Sequence, residues 1–178
     1  VFITEDLRVP KTKDPFVRPA EVEDALSFAP NVRRIDKLEI KYSHNLEPTK
    51  ALLTAFTLKN AKNFSIVDDD GYIYAMFGVS DDPTDTRCGV AWLLASEKLK
   101  KFPRRFYIES RYWIAILQNN YEFIYNYVYG RNWLTLKWLQ LCGFKALKQM
   151  KIGKQNKNFI LMARGKQTHV QPNSNSSN

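Results

Sequence analysis

The sequence predicts one α/β domain, a mixed and mostly antiparallel sheet with flanking helices. Three observations carry that reading. Apolar residues recur at helical spacing in some segments and alternate in short β-prone runs in others, so both periods are present. Helical segments are inserted into a strand meander, and a strand–helix–strand crossover then leads to a final strand pair. With 178 residues and 44% hydrophobic content the chain can bury one core.

The elements follow in order. Residues 1–14 hold prolines and charges without sustained periodicity and read as an arm. The domain occupies 15–164. Phe16–Arg18 is a short strand. Pro19 marks a helix start, with Val22, Ala25, Leu26 and Ala29 at helical spacing and Pro30 ending or kinking the run. Ile35 and Leu38 suggest another short helical piece. Pro48–Asn60 is a helix that offers Leu52, Leu53, Phe56 and Leu58 for packing. Phe64–Val67, the turn DDDG at Asp68–Gly71, and Tyr72–Val79 form a hairpin. Gly89–Leu94 is the third strand of that meander. Pro103–Asn119 is a helix, with Phe106, Trp113, Ile116 and Leu117 toward the core, and Phe123–Val128 is a strand. The segment NWLTLKWLQLCGF is a helix capped by Asn132 and ended by Gly143 in the left-handed region. It is apolar on both sides, which implies burial on both sides. Lys145–Ile152 and Asn158–Ala163 close the sheet around Gly153. Residues 165–178, GKQTHVQPNSNSSN, form a polar tail.

Charge is distributed unevenly. Residues 1–95 hold 12 Lys+Arg and 15 Asp+Glu, and residues 96–178 hold 15 and 3. A basic half implies an anionic partner. The clusters Lys98–Arg105 and Lys145–Lys157, with Tyr and Trp between them, would suit DNA. No apolar run is long enough to span a bilayer, and the polar start, VFITEDLRVPKTKD, does not read as a signal peptide. Cys88 and Cys142 form neither a disulfide framework nor a metal-ligand pattern with the two histidines, and a reducing compartment is expected.

The Asn, short apolar helix and Gly-Phe of NWLTLKWLQLCGF, between a strand and a final strand pair, resemble the last αβ unit of the GCN5-related N-acetyltransferases. The order of elements over Phe16–Arg164 is similar to that fold. The segments DALSFAPNVRRIDKLEI, PTKAL, AMFGVSDDP, GVAWLLAS and YNYVYGRNWLTLKWLQLCGF resemble one family more specifically, the small internal virion protein of short-tailed lytic phages. Those proteins themselves resemble acetyltransferases.

The acetyltransferase resemblance implies a glycine-rich loop after the third meander strand, whose backbone amides hold the coenzyme A pyrophosphate. The matching stretch here, LASEKLKKFP, contains no glycine. Lys98, Lys100 and Lys101 are its candidate phosphate contacts, acting as flexible point charges. Asn132 and Asn126 are candidates for a cofactor amide, although Asn132 is also explained by capping. The tyrosine that protonates the leaving thiolate in that family falls on Leu139, which carries no proton to give. Tyr127 is the substitute candidate, with Tyr125 and Tyr129 near it. Glu109 is the candidate base, although an ion pair explains it more simply. His44 and the Asp68–Asp70 run are weaker candidates, read as an exposed turn and a hairpin turn.

The expected function is therefore that of a phage virion-associated structural or assembly protein on an acetyltransferase-like fold, without catalysis. Its expected setting is the virion, and the host cytoplasm during assembly, in multiple copies among other virion proteins. Two alternatives remain: an acetyl-CoA-dependent N-acetyltransferase, and a basic nucleic-acid-binding module.

Overall fold

Seven strands line up in the order β1-β2-β3-β4-β5-β7-β6 in a computed structural model that describes residues 15–166. β1 (Phe16–Pro19), β2 (Lys62–Val67), β3 (Ile73–Asp81) and β4 (Cys88–Ala95) form an antiparallel meander. β5 (Phe123–Tyr129) joins β4 in parallel, and β6 (Lys145–Ile152) and β7 (Lys157–Gly165) complete the sheet in antiparallel pairing. The parallel step requires a crossover, supplied by α4 (Pro103–Gln118). α1 (Val22–Phe28), α2 (Arg34–His44) and α3 (Pro48–Ala55) lie between β1 and β2, and α5 (Trp133–Leu141) lies between β5 and β6.

The two sheet faces hold separate cores. One joins Phe77, Ile124 and Val128 to Ile114 and Leu117 of α4 and Leu139 of α5. The other packs Met76 and Leu94 against Ala25 and Phe28 of α1 and Leu52 of α3. Alternation along each strand sends successive side chains to opposite faces, which makes this two-sided packing possible.

Three local readings need correction. α3 stops at Ala55 rather than Asn60, and Leu58 remains exposed. β7 runs through Gly165, which pairs with Phe123, so the sheet extends one residue past 164. α5 is not buried on both sides, since Trp133, Leu134 and Leu141 are exposed while Thr135 and Leu139 are buried. Gly143 does take a positive φ, of 89°, at the end of α5. The arm at 1–14 and the tail beyond Lys166 lie outside the described residues.

Gly153, in the β6–β7 turn, allows a close approach. A Cβ there would sit 1.7 Å from the Tyr42 carbonyl oxygen, so only glycine lets this turn rest under the end of α2.

Candidate functional site

β4 and β5 pair only over Cys88–Val90 and Phe123–Tyr125, then diverge. The crevice beyond the carboxyl ends of strands at such a switch point is where sheets of this kind take ligands. The Ser96 N–H donates to Tyr74 O on β3 at 2.8 Å, so the Ala95 amide, one residue earlier, faces the gap instead.

Aromatic side chains fill the α4–α5 side of the gap. Phe106 and Trp138 stack with centroids 5.3 Å apart. The Trp138 indole N–H donates to Ser110 Oγ at 3.1 Å, which satisfies its polar atom. Trp113 packs on Phe64 at 5.1 Å and on Phe77 at 6.0 Å. A cavity of about 60 Å³ remains among them, also bordered by Leu139 and Phe144. Ligand pockets usually offer about 300 Å³ or more.

A charged network from α2 occupies the carboxyl ends of the two strands. The Arg33 N–H donates to Ala95 O at 2.8 Å and pins the start of the helix to β4. Arg33, Asp36 and Glu39 recur every three residues and so share a helix face. Arg33 grips Asp36 in a two-point ion pair, with contacts of 2.7 and 2.9 Å, and also donates to Thr135 Oγ1 at 2.8 Å. Asp36 accepts the gap-facing Ala95 amide at 2.9 Å. Glu39 accepts the Tyr129 amide, at the end of β5, at 2.9 Å. Asn132 donates its side-chain amide to both carboxylates, at 3.2 and 3.1 Å. Two neighbouring carboxylates are tolerated because Asp36 takes four donors, two from Arg33 and one each from Ala95 and Asn132, while Glu39 Oε2 takes two. Burial, and then the neighbouring Asp36, push the Glu39 carboxyl up to about 7, against the opposing bonds from Tyr129 and Asn132.

Asn132 therefore does not cap α5 through its side chain. It is 2% exposed and bound to α2, while its Oδ1 has no partner among the described residues. The carboxylates it serves hold it more strongly than a helix amide would, because charge-assisted bonds exceed neutral ones.

The other anticipated site residues are dispersed. Glu109 borders the aromatic cavity and is ion-paired to Arg105 at 2.7 Å. Tyr127 packs edge-on against Tyr125 at 5.6 Å, and the Tyr125 hydroxyl donates to Asp82. Tyr129 meets Tyr42 of α2 at 5.2 Å. Leu139 is core, and Asn126 borders the aromatic cavity. His44 is exposed, with its Nδ1 2.7 Å from Ser43 Oγ. Asp68 closes the hairpin by accepting the Asp70 and Tyr72 amides.

Of the three lysines, Lys98 lies over the Tyr72 ring at 3.9 Å and Lys100 is paired with Glu97. Lys101 is exposed. They sit in or beside a 3₁₀ turn over Glu97–Lys101, where the Leu99 and Phe102 amides bond back to Ser96 and Leu99 carbonyls. The turn consumes donors that a phosphate cradle would present. Beside it, a groove of about 340 Å³ runs between the start of α4 and α5, bordered by Ser96, Lys100, Tyr107, Trp133 and Lys137. Ser96 Oγ is buried without a partner among the described residues.

Sequence reasoning missed Arg33, Asp36 and Glu39. The available signal was a carboxylate at Asp36, four residues before Ile40 on the inward face of a short helix.

No family model matches the chain, and no curated protein matches it. Solved structures do. A ribosomal-protein-S5-alanine acetyltransferase from Vibrio fischeri matches with 22% identity and TM-score 0.61, covering 87% of this chain and 94% of that one. AAC(6')-Ib in complex with ribostamycin and coenzyme A matches with 10% identity and TM-score 0.65, covering 92% and 99%. A variant of the spermidine N-acetyltransferase SpeG from Vibrio cholerae matches with 12% identity and TM-score 0.63, covering 84% and 94%. These likenesses span nearly all of the relatives' lengths at low identity, and they show that this chain has the fold of the GCN5-related N-acetyltransferases.

Proposed function

We propose that the protein is a non-catalytic structural or assembly component of a phage particle, built on the acetyltransferase fold. The observation that carries the loss of catalysis is the strand gap itself. Asp36 and Glu39 hold the Ala95 and Tyr129 amides, and Phe106 and Trp138 fill the other side. The residues present do not fit a coenzyme A pyrophosphate in a backbone cradle, because the 3₁₀ turn bonds to itself and lacks glycine. Of the anticipated acids and bases, Glu109 is ion-paired to Arg105 and the Tyr125 hydroxyl is committed to Asp82. The assignment to a particle rests on the dispersed sequence resemblance to the internal virion protein family. No helix among the described residues is long and apolar enough to cross a membrane.

Calorimetric titration of the folded protein with acetyl-CoA tests this reading. The expected result is no saturable heat. One-to-one binding at micromolar concentration would replace it with the second reading, an acetyl-CoA-dependent N-acetyltransferase. The groove beside Ser96 and Lys100 favours that alternative, since it has the size of a ligand site.

A further inference from the structure

Two helices begin at one pocket. α2 contributes Arg34 and Ile35, and α5 contributes Asn132, Trp133 and Leu134, to a depression of about 370 Å³. Neither helix has a side-chain hydrogen bond at its N-cap. The positive ends of both helix dipoles therefore meet there.

The depression has a second, independent feature. Asn132 borders it, is 2% exposed, and keeps a buried Oδ1 without a partner among the described residues. Its Nδ2 is already committed to Asp36 and Glu39. Oδ1 accepts only, so what it lacks is a hydrogen-bond donor.

The surroundings are cationic and extend beyond this pocket. Arg34, Lys100 and Arg131 border it, and its rim carboxylate, Glu97, is paired with Lys100. Arg131 also borders a second depression of about 380 Å³ that contains Lys151 and Lys157 but no carboxylate. From residue 123 onward the chain holds nine Lys and Arg and no Asp or Glu. Trp133, between the basic groups, is 69% exposed. An indole left in water among cations is what a base-stacking platform requires.

We propose that this end of the sheet, from Lys100 through Arg131 to Lys151 and Lys157, binds single-stranded nucleic acid. Arg34, Arg131, Lys151 and Lys157 take phosphates, and Trp133 stacks a base. The track takes in only part of each basic cluster marked in the sequence: Lys98 lies 3.9 Å over the Tyr72 ring, whereas Lys157, 5.1 Å from the Tyr42 ring, is the more loosely held of the two. The inference does not depend on whether acetyl-CoA binds.

The test is fluorescence anisotropy of a short labelled DNA strand of mixed sequence against the full chain over a salt series. Binding should weaken with salt at about −0.7 in log K per log salt for each phosphate, or about −3 for four contacts. Arg131→Ala should flatten that slope by about one contact. Trp133→Ala should weaken binding about tenfold at unchanged slope. Because both side chains are exposed, circular dichroism should show both variants folded. Absence of binding at low salt would overturn the proposal, and so would affinity that neither substitution alters. A duplex bound as tightly as the single strand, with Trp133→Ala without effect, would also overturn it.

Discussion

The gap between β4 and β5 is filled in two ways, and the two fillings obey different rules. On the α4–α5 side, Phe106, Trp113 and Trp138 exclude water by shape and dispersion. At the carboxyl ends, Arg33, Asp36, Glu39, Asn132 and Thr135 exclude it by pairing charges and amides. An apolar plug tolerates exchange of one hydrophobic group for another of similar size. A charged plug does not, because deleting one partner leaves another buried without compensation. The comparison teaches that the fold closed the same opening with one robust device and one exacting one.

The largest effect should come from Arg33→Ala. It leaves Asp36 buried without its counter-ion and should cost about 3–5 kcal/mol of unfolding free energy. Urea denaturation would measure it. A loss below that of the next variant would mean that the charged plug is the more forgiving one. Trp138→Ala removes the stacked indole and should cost about 2–4 kcal/mol, reduced from a full core deletion because Trp138 is half-buried. It should also widen the 60 Å³ cavity, which binding of a small apolar probe would reveal.

The pH dependence sharpens the contrast, since the aromatic plug has no titrating group. Glu39 is raised in the folded state from an ordinary 4.5 to about 7. The folded protein then holds a proton that the unfolded chain has released. Stability from this group is complete below about pH 4.5 and is lost as pH rises through about 7. Glu39→Gln should keep the amide contacts, remove that slope, and add about 1–3 kcal/mol at pH 8 relative to the native chain. A native stability curve that is parallel to that of Glu39→Gln between pH 4.5 and 8 would contradict the burial of this carboxylate. The smallest change is Thr135→Val. It deletes one acceptor from Arg33 and should cost about 1–2 kcal/mol, readable as a modest shift in thermal midpoint.

The elements of this fold were legible because their signals are local. Asp68 and Gly71 announce the hairpin within four residues, and Gly143 announces the end of α5 by its own lack of a Cβ. The missing glycines after β4 were equally legible. The end of α3 was not, because Thr57–Asn60 carries helix-compatible residues, while the turn they form is tied to β3 by the Asp81 amide on Lys59 O and by the Asn60 side-chain amide on the Asp81 carboxylate. Asn132 shows the limit for the site. Its position before an apolar helix signals a cap, but its true partners, Asp36 and Glu39, lie 96 and 93 residues away. The exposure of Trp133 was hidden for a related reason. The α5 sequence is apolar around most of its circumference, and only the packing decides which side is covered.

The Arg33–Thr135 bond spans 102 residues of chain. During synthesis at about 5–20 residues per second, Arg33 and Asp36 emerge roughly 5–20 s before Thr135 exists. Through that interval the ion pair has no enclosed site, so α2 cannot settle against the sheet in its final form. The nascent protein should therefore remain open to proteases and chaperones until α5 has left the ribosome, and then close in one cooperative step. A chain released before Asn132 should be degraded rather than stored as a folded half.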